Sequence, residues 1–238
     1  MQVHVSKNLE ELSEAAANWV ALLIEKTLLM QGQFCVLLSG GNTPKQLHQL
    51  LSSPPYNNRI DWKKVHVFFG DERVVPFDDD RNNGRMAFDT LLSKVPIPRE
   101  QIHFIDTSKE AEVAAEDYAR LLHQYFDNSK QSFDLALLGM GDDGHTLSLF
   151  PGTDAVNEKN KWVIAFYLAS QQMNRISLTP AIVNRSACIA FLVSGAAKSG
   201  VLKKILQQTT LPEFFPVQLI KPENGNLHWF ADEASVTW

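Results

Sequence analysis

The sequence predicts an α/β fold of three layers, a mainly parallel central sheet with helices on both faces. Three observations lead to it. Short, continuously apolar runs recur along the chain, stretches with helical spacing separate several of them, and glycine- and charge-rich turns follow directly behind the runs. A run that is apolar throughout fits a strand covered on both sides, the setting of a parallel sheet between helices.

Taken in order, Leu9, Leu12, Ala16, Trp19, Val20, Leu23 and Leu28 recur at helical spacing and predict a helix over 9–31, with Gly32 as its stop. Phe34-Cys35-Val36-Leu37-Leu38 then reads as the first buried strand. Equivalent runs at 65–69, 133–138, 163–168, 188–193 and 217–220 bring the central strands to six, and 2–5, 102–105 and 227–230 are candidates for extra short strands. Further helices are expected at 83–92, 109–126 and 196–208. Proline-rich patches at 52–56 and 95–98 mark loops, since proline breaks both helices and inner strands. With no repeat, low-complexity tail or long linker, the 238 residues read as one domain, 1–238.

The apolar fraction of 45% and charged fraction of 21% are those of an ordinary globule, which argues against wholesale disorder. Against 22 basic side chains stand 27 acidic ones, a formal charge of −5, so the chain lacks the basic stripe of a nucleic-acid binder. Positive charge for an anionic ligand must therefore be placed locally. Cys35 and Cys188 both fall in strand-like runs and read as reduced core residues. No apolar run reaches membrane-spanning length, and Met1-Gln2-Val3-His4-Val5 is not a signal peptide, so the expected location is the cytoplasm, without a membrane partner.

In such a sheet, ligands collect beyond the carboxyl ends of the strands. Four polar turns are expected to meet there. In Ser39-Gly40-Gly41-Asn42-Thr43-Pro44, glycine permits close backbone approach, Thr43 can cap a helix and Pro44 suits its first turn; free amides at a helix start accept an anion. The turn matches neither a P-loop nor a dinucleotide fingerprint. Gly70-Asp71-Glu72-Arg73 offers a guanidinium for a phosphate or a carbonyl oxygen, with Asp71 or Glu72 to fix its fork from behind. In Gly139-Met140-Gly141-Asp142-Asp143-Gly144-His145-Thr146, a histidine sits among three glycines and two carboxylates, where it can take a proton from water while Asp142 or Asp143 sets its tautomer. Arg175 and Lys198, the latter at a helix start in Ser194-Gly195-Ala196-Ala197-Lys198, are candidates to neutralise a phosphate dianion on the same rim. Neither HExxH nor clustered Cys/His spacing occurs, and no metal is expected.

Together these turns, extended by Val74-Val75-Pro76, by Leu147-Ser148-Leu149-Phe150-Pro151-Gly152 and by Arg175-Ile176-Ser177-Leu178-Thr179-Pro180, closely resemble the 6-phosphogluconolactonase family over nearly the whole chain. The resemblance implies a Rossmann-like fold related to the glucosamine-6-phosphate deaminases. It also implies a cofactor-independent hydrolysis of 6-phospho-D-glucono-1,5-lactone to 6-phosphogluconate, in the oxidative pentose phosphate pathway. Carried over by motif, His145 is the catalytic base, Asp143 its partner and Arg73 a substrate-site residue. Ser39, Gly40, Gly41, Asn42, Thr43, Arg175 and Lys198 surround the phosphate, with Asp71, Glu72 and Asp142 as accessory carboxylates.

Two other readings are weighed. A deaminase or isomerase of the related family would use an aspartate where Asp71-Glu72 stands, but Arg73 replaces its tyrosine and Leu149-Phe150-Pro151-Gly152 lacks its later glutamate. A noncatalytic sugar-phosphate sensor would keep the anion-binding turns without needing the His145–Asp143 pair. A covalent serine route is disfavoured because Ser39 lacks the Gly-x-Ser-x-Gly elbow. Oligomeric state is left open.

Overall fold

The structure, a computed structural model, describes residues 1–207 and 214–237. Its strands are β1 (Gln2–Ser6), β2 (Phe34–Leu38), β3 (Val65–Phe69), β4 (Asp71–Arg73), β5 (Ile102–His103), β6 (Leu135–Gly139), β7 (Val163–Leu168), β8 (Met173–Leu178), β9 (Ile189–Val193) and β10 (Leu227–Asp232). The α-helices are α1 (Leu9–Met30), α2 (Asn42–Leu51), α3 (Tyr56–Arg59), α4 (Asn83–Ala87), α5 (Ala111–Phe126), α6 (Pro180–Val183), α7 (Ser199–Leu206) and α8 (Glu233–Val236).

Seven parallel strands form the central sheet in the order β1-β10-β9-β6-β2-β3-β5. Every residue of β2 and β9 is buried, as their unbroken apolar sequences require. The pairing register puts Phe230 and Phe68 on opposite faces. Trp19 of α1 lies against Phe230 on one face, whereas Tyr125 and Phe126 of α5 lie against Phe68 on the other. Helices therefore cover both faces, and each fully buried phenylalanine contributes about 2–3 kcal/mol.

α1 starts at Asn8, whose side chain accepts the Glu11 amide at 3.0 Å, while Glu10 and Glu11 oppose the positive end of the helix dipole. Its cap is Gln31 rather than Gly32, in extended backbone. The segment expected as one helix over 83–92 is α4 followed by a wider π turn at Phe88–Leu92. The helix expected to reach 208 is a 3-10 turn at Ala196–Lys198 and α7; position 208 lies outside the described residues.

Two expected central strands are corrected. The run 163–168 is β7, which belongs to a separate antiparallel sheet ordered β4-β8-β7. Tyr167 is 60% exposed and the run is fully buried only at Val163 and Leu168, so it is not covered throughout, and composition does not distinguish that case from full burial. The run 217–220 forms a 3-10 turn over Pro216–Leu219, because Pro216 lacks the amide a strand would donate and suits the first turn of a helix. Of the three extra candidates, 227–230 becomes the six-residue inner strand β10, while β1 and β5 form the two edges.

His48, on α2, is 1% exposed and contacts the Thr90 hydroxyl at 3.3 Å. Burial pushes its pKa down to about 4. An unfolded chain binds that proton near pH 6.5 and the native chain only near 4. Stability is thus complete above pH 6.5 and declines as pH falls through this window, by about 3 kcal/mol from this group. In urea titrations at several pH values, His48→Gln should flatten that decline; an unchanged slope would refute the assignment.

Candidate active site

After β2 the chain proceeds to β3 and β5 on one side, then returns through β6 to β9 and β10 on the other. The gap between β2 and β6 is therefore the switch point at which ligands gather beyond the strand ends. A cavity of about 170 Å³ opens there, lined by the turn after β2, by Asp71 and Arg73, and by Asn83. The turn after β6, with His145, and Lys198 beyond β9 complete its wall. Four sequence-distant turns do meet.

The turn after β6 folds on itself: the Gly141 amide donates to the His145 carbonyl at 2.9 Å and the Gly144 amide to the Gly141 carbonyl at 3.1 Å. This brings His145 Nδ1 to 2.5 Å from Asp143 Oδ1, which also accepts the His145 amide at 3.0 Å. Burial raises the Asp143 carboxyl, but the imidazole and the amide outweigh it and hold the group below the usual carboxylate range. An ionised carboxylate only accepts, so Nδ1 carries a proton, and in the neutral imidazole the lone pair is then on Nε2. Phe150 stacks on the imidazole at 4.2 Å. Gly141 is required here, because a Cβ would overlap the His145 ring and come within 2.6 Å of Asp143. Of the two carboxylates, Asp143 is the one in contact; Asp142 is exposed and acts on Lys198 through its charge.

Gly41 (φ +114) starts α2 with no side-chain cap, a backbone that a residue with a Cβ rarely adopts. Thr43 is not the cap; the helix begins one residue before it, and its side chain is buried along the cavity. Open helix amides therefore lie next to Ser39, Gly40, Gly41, Asn42 and Thr43, which all line the cavity. The Ser39 hydroxyl and Arg73 Nε are buried without a hydrogen-bond partner among the described residues. Arg73 Nη1 donates to the Arg81 carbonyl at 2.8 Å, so a backbone oxygen, not Asp71 or Glu72, steadies its fork. Burial lowers the pKa of the Lys198 ammonium while Asp142 and Asp232 oppose it.

The remaining expected residues take other places. Glu72 is 2% exposed and turned from the cavity: Oε1 accepts the Arg73 and Asn83 amides and Oε2 the Gly84 amide, each at 2.8 Å, fastening the start of α4. Burial pushes its carboxyl up to about 7 against the pull of these amides. Asp71 lines the cavity but accepts the Ser148 hydroxyl at 2.6 Å, with Arg175 Nη1 3.9 Å away. Arg175 does not project onto the rim beside Lys198: it is 3% exposed, bonded to Gln171 and set behind Asp71, because its strand pairs with β4 and buries it. Sequence reading missed Asn83, which donates to the Asp71 carbonyl at 3.0 Å, as well as Ser148 and Asp232. No spacing signal marks them. Among the described residues no group of three or more His, Cys, Asp or Glu side chains is placed to hold a metal, and no helix is long and apolar enough to cross a membrane.

Residues 7–229 match the family model described as glucosamine-6-phosphate isomerases/6-phosphogluconolactonase. The chain is 41% identical to a probable chloroplastic 6-phosphogluconolactonase 4 of Oryza sativa, across 96% of this chain and 74% of that one. It is 37% identical to a 6-phosphogluconolactonase of Synechocystis sp., across 98% and 95% of the two chains. The crystal structure of 6-phosphogluconolactonase from Thermotoga maritima superposes with a TM-score of 0.86 at 29% identity, covering 98% of this chain and 99% of that one. Sequence match, shared fold and a cavity at the sheet's switch point agree, and the chain belongs to the glucosamine-6-phosphate isomerase/6-phosphogluconolactonase family.

Proposed function

We propose that this chain is a lactonase that hydrolyses 6-phospho-D-glucono-1,5-lactone to 6-phosphogluconate in the oxidative pentose phosphate pathway, with His145 activating the attacking water. The reading is carried by one observation: His145, held by Asp143 at 2.5 Å, lines a cavity together with Lys198 and with two anion donors that have no hydrogen-bond partner among the described residues, the Ser39 hydroxyl and Arg73 Nε. Relatives named as 6-phosphogluconolactonases support it.

The lactone is an activated ester, so the chemical step needs little more than a positioned base. His145 Nε2 takes a proton from water as the oxygen adds to C1. Arg73 or the glycine-turn amides stabilise the charge that develops on the carbonyl oxygen. The C1–O5 bond then breaks, and the imidazolium returns its proton to O5, leaving the open-chain acid. Asp143 holds the imidazolium without itself being protonated. Ser39 has no bond to His145, which favours attack by water over an acyl-serine.

The phosphate lies on the α2 amides, Ser39 and Lys198, and its binding energy orients the ring. Arg175 acts on this site through Asp71, and the Ser148 hydroxyl on the Asp71 carboxylate leaves that group poorly suited to abstract a proton. We place the activity in one domain over 1–238, in the cytoplasm, where the buried thiols of Cys35 and Cys188 stay reduced.

Lactone disappearance followed directly by NMR, with spontaneous hydrolysis subtracted, tests the reading. Purified protein should accelerate loss of the phosphorylated lactone far more than that of glucono-1,5-lactone. Equal rates with and without protein would refute it.

A further inference from the structure

The loop that carries Lys198 is tied down by one carboxylate. Asp232, the last residue of β10, is 4% exposed and sits beside the end of β9, because the parallel register pairs Ala231 with Val193. Its Oδ2 accepts the Ser194 hydroxyl at 2.5 Å, and its two oxygens share the Gly195 amide at 3.0 and 3.1 Å. Oδ1 also accepts the Ser235 amide at 2.9 Å, which starts α8. The Gly195 carbonyl accepts the Lys198 amide at 3.1 Å, closing the 3-10 turn over Ala196–Lys198. Two hydrogen bonds thus connect the Asp232 carboxylate to the backbone of the residue that brings an ammonium to the cavity.

We propose that Asp232 is a positioning residue for substrate binding: its grip on Ser194 and Gly195 sets where the Lys198 ammonium meets the phosphate of the lactone. The inference rests on the reading of Lys198 as the phosphate anchor. Asp232 does not line the cavity, and its bonds go to Ser194, Gly195 and Ser235 rather than to the His145 turn, so it bears on substrate binding through Lys198 and not on the chemical step. The chemistry of the side chain matters as well as its shape. Three donors converge on it, and an amide in its place would turn an NH₂ toward at least one of them. Burial pushes the Asp232 carboxyl up, but the bonds from Ser194, Gly195 and Ser235 outweigh that and keep it below the usual range. Its negative charge also favours the charged form of the half-buried Lys198.

The test compares the full chain with Asp232→Asn, Lys198→Ala and the double variant, on phosphorylated and unphosphorylated glucono-1,5-lactone. Asp232→Asn should raise KM for the phosphorylated lactone about tenfold, with kcat near the parent value and the unphosphorylated substrate unaffected. In the Lys198→Ala background the same change should do nothing more, since the two act as one unit. An equal loss on both lactones, or a full effect without Lys198, would show that Asp232 only secures the C-terminal fold and would overturn the proposal. Should Asp232→Asn fail to fold, Ser194→Ala removes a single donor to the same carboxylate and should raise KM about threefold on the phosphorylated substrate alone. No change there overturns the proposal equally. If Lys198→Ala leaves discrimination between the lactones intact, the anchor reading itself fails. If it abolishes discrimination while Asp232→Asn and Ser194→Ala do not alter it, the positioning role alone is wrong.

Discussion

Replacing His145 by alanine should lower kcat for the phosphorylated lactone by ~10²–10⁴-fold and leave KM within about twofold, because in the proposed mechanism the imidazole acts on a proton in the transition state and contributes little to ground-state binding. The geometry gives the expectation its force. Asp143 holds Nδ1 at 2.5 Å and Phe150 stacks on the ring, so the imidazole is oriented before substrate arrives, and the substitution removes the preorganised group proposed as the base. Asp143→Asn is a sharper version. Its NH₂ can turn toward Nδ1 and reverse the tautomer, leaving Nε2 protonated and unable to accept from water, with the fold and the anion site unchanged. A folded His145→Ala protein that turns over at near-parental rate, measured by direct lactone loss, would remove His145 from the mechanism.

The second large effect belongs to the cations. Lys198→Ala should lower kcat/KM for the phosphorylated lactone by about 10²-fold, the equivalent of one charge-assisted hydrogen bond of roughly 3 kcal/mol. Rates on the unphosphorylated lactone should scarcely change. The protein carries a formal charge of −5, and Asp71 also lines the cavity, so attraction for a dianion rests on very few groups. Arg73→Ala distinguishes the two roles open to that guanidinium. A loss confined to the phosphorylated substrate puts it on the phosphate, and a loss on both lactones puts it on the carbonyl oxygen at C1. If Lys198→Ala slowed both lactones alike, the ammonium would not be serving a remote phosphate.

The parts of this site legible in the sequence are those made within a few residues of one another. Asp143 and His145 are two positions apart, and the glycines that allow their contact are in the same turn. The turn over 39–43 carries its own conformational instructions in Gly41 and the start of α2. Placing all these turns on one rim needed only the alternation of apolar runs with helical stretches and the rule for parallel sheets. That alternation misled where an apolar run served another purpose. Val163–Leu168 pairs antiparallel in the small sheet, and the segment after Pro216 winds into a 3-10 turn.

The sequence by itself determined the α/β class, the inner strands around the switch point, the turns that end them and an imidazole beside two carboxylates, of which the structure puts Asp143 in contact. Tertiary structure alone decided which charges face the cavity. Glu72 turns away to hold α4, Arg175 lies behind Asp71, and Asp232 reaches Ser194 across 38 positions, as Ser148 reaches Asp71 across 77. The physical reason is the range of the interactions. Backbone preference and apolar period act over a few residues and are written locally, whereas the partner of a buried charge follows from strand register and packing, which no short stretch of chain specifies.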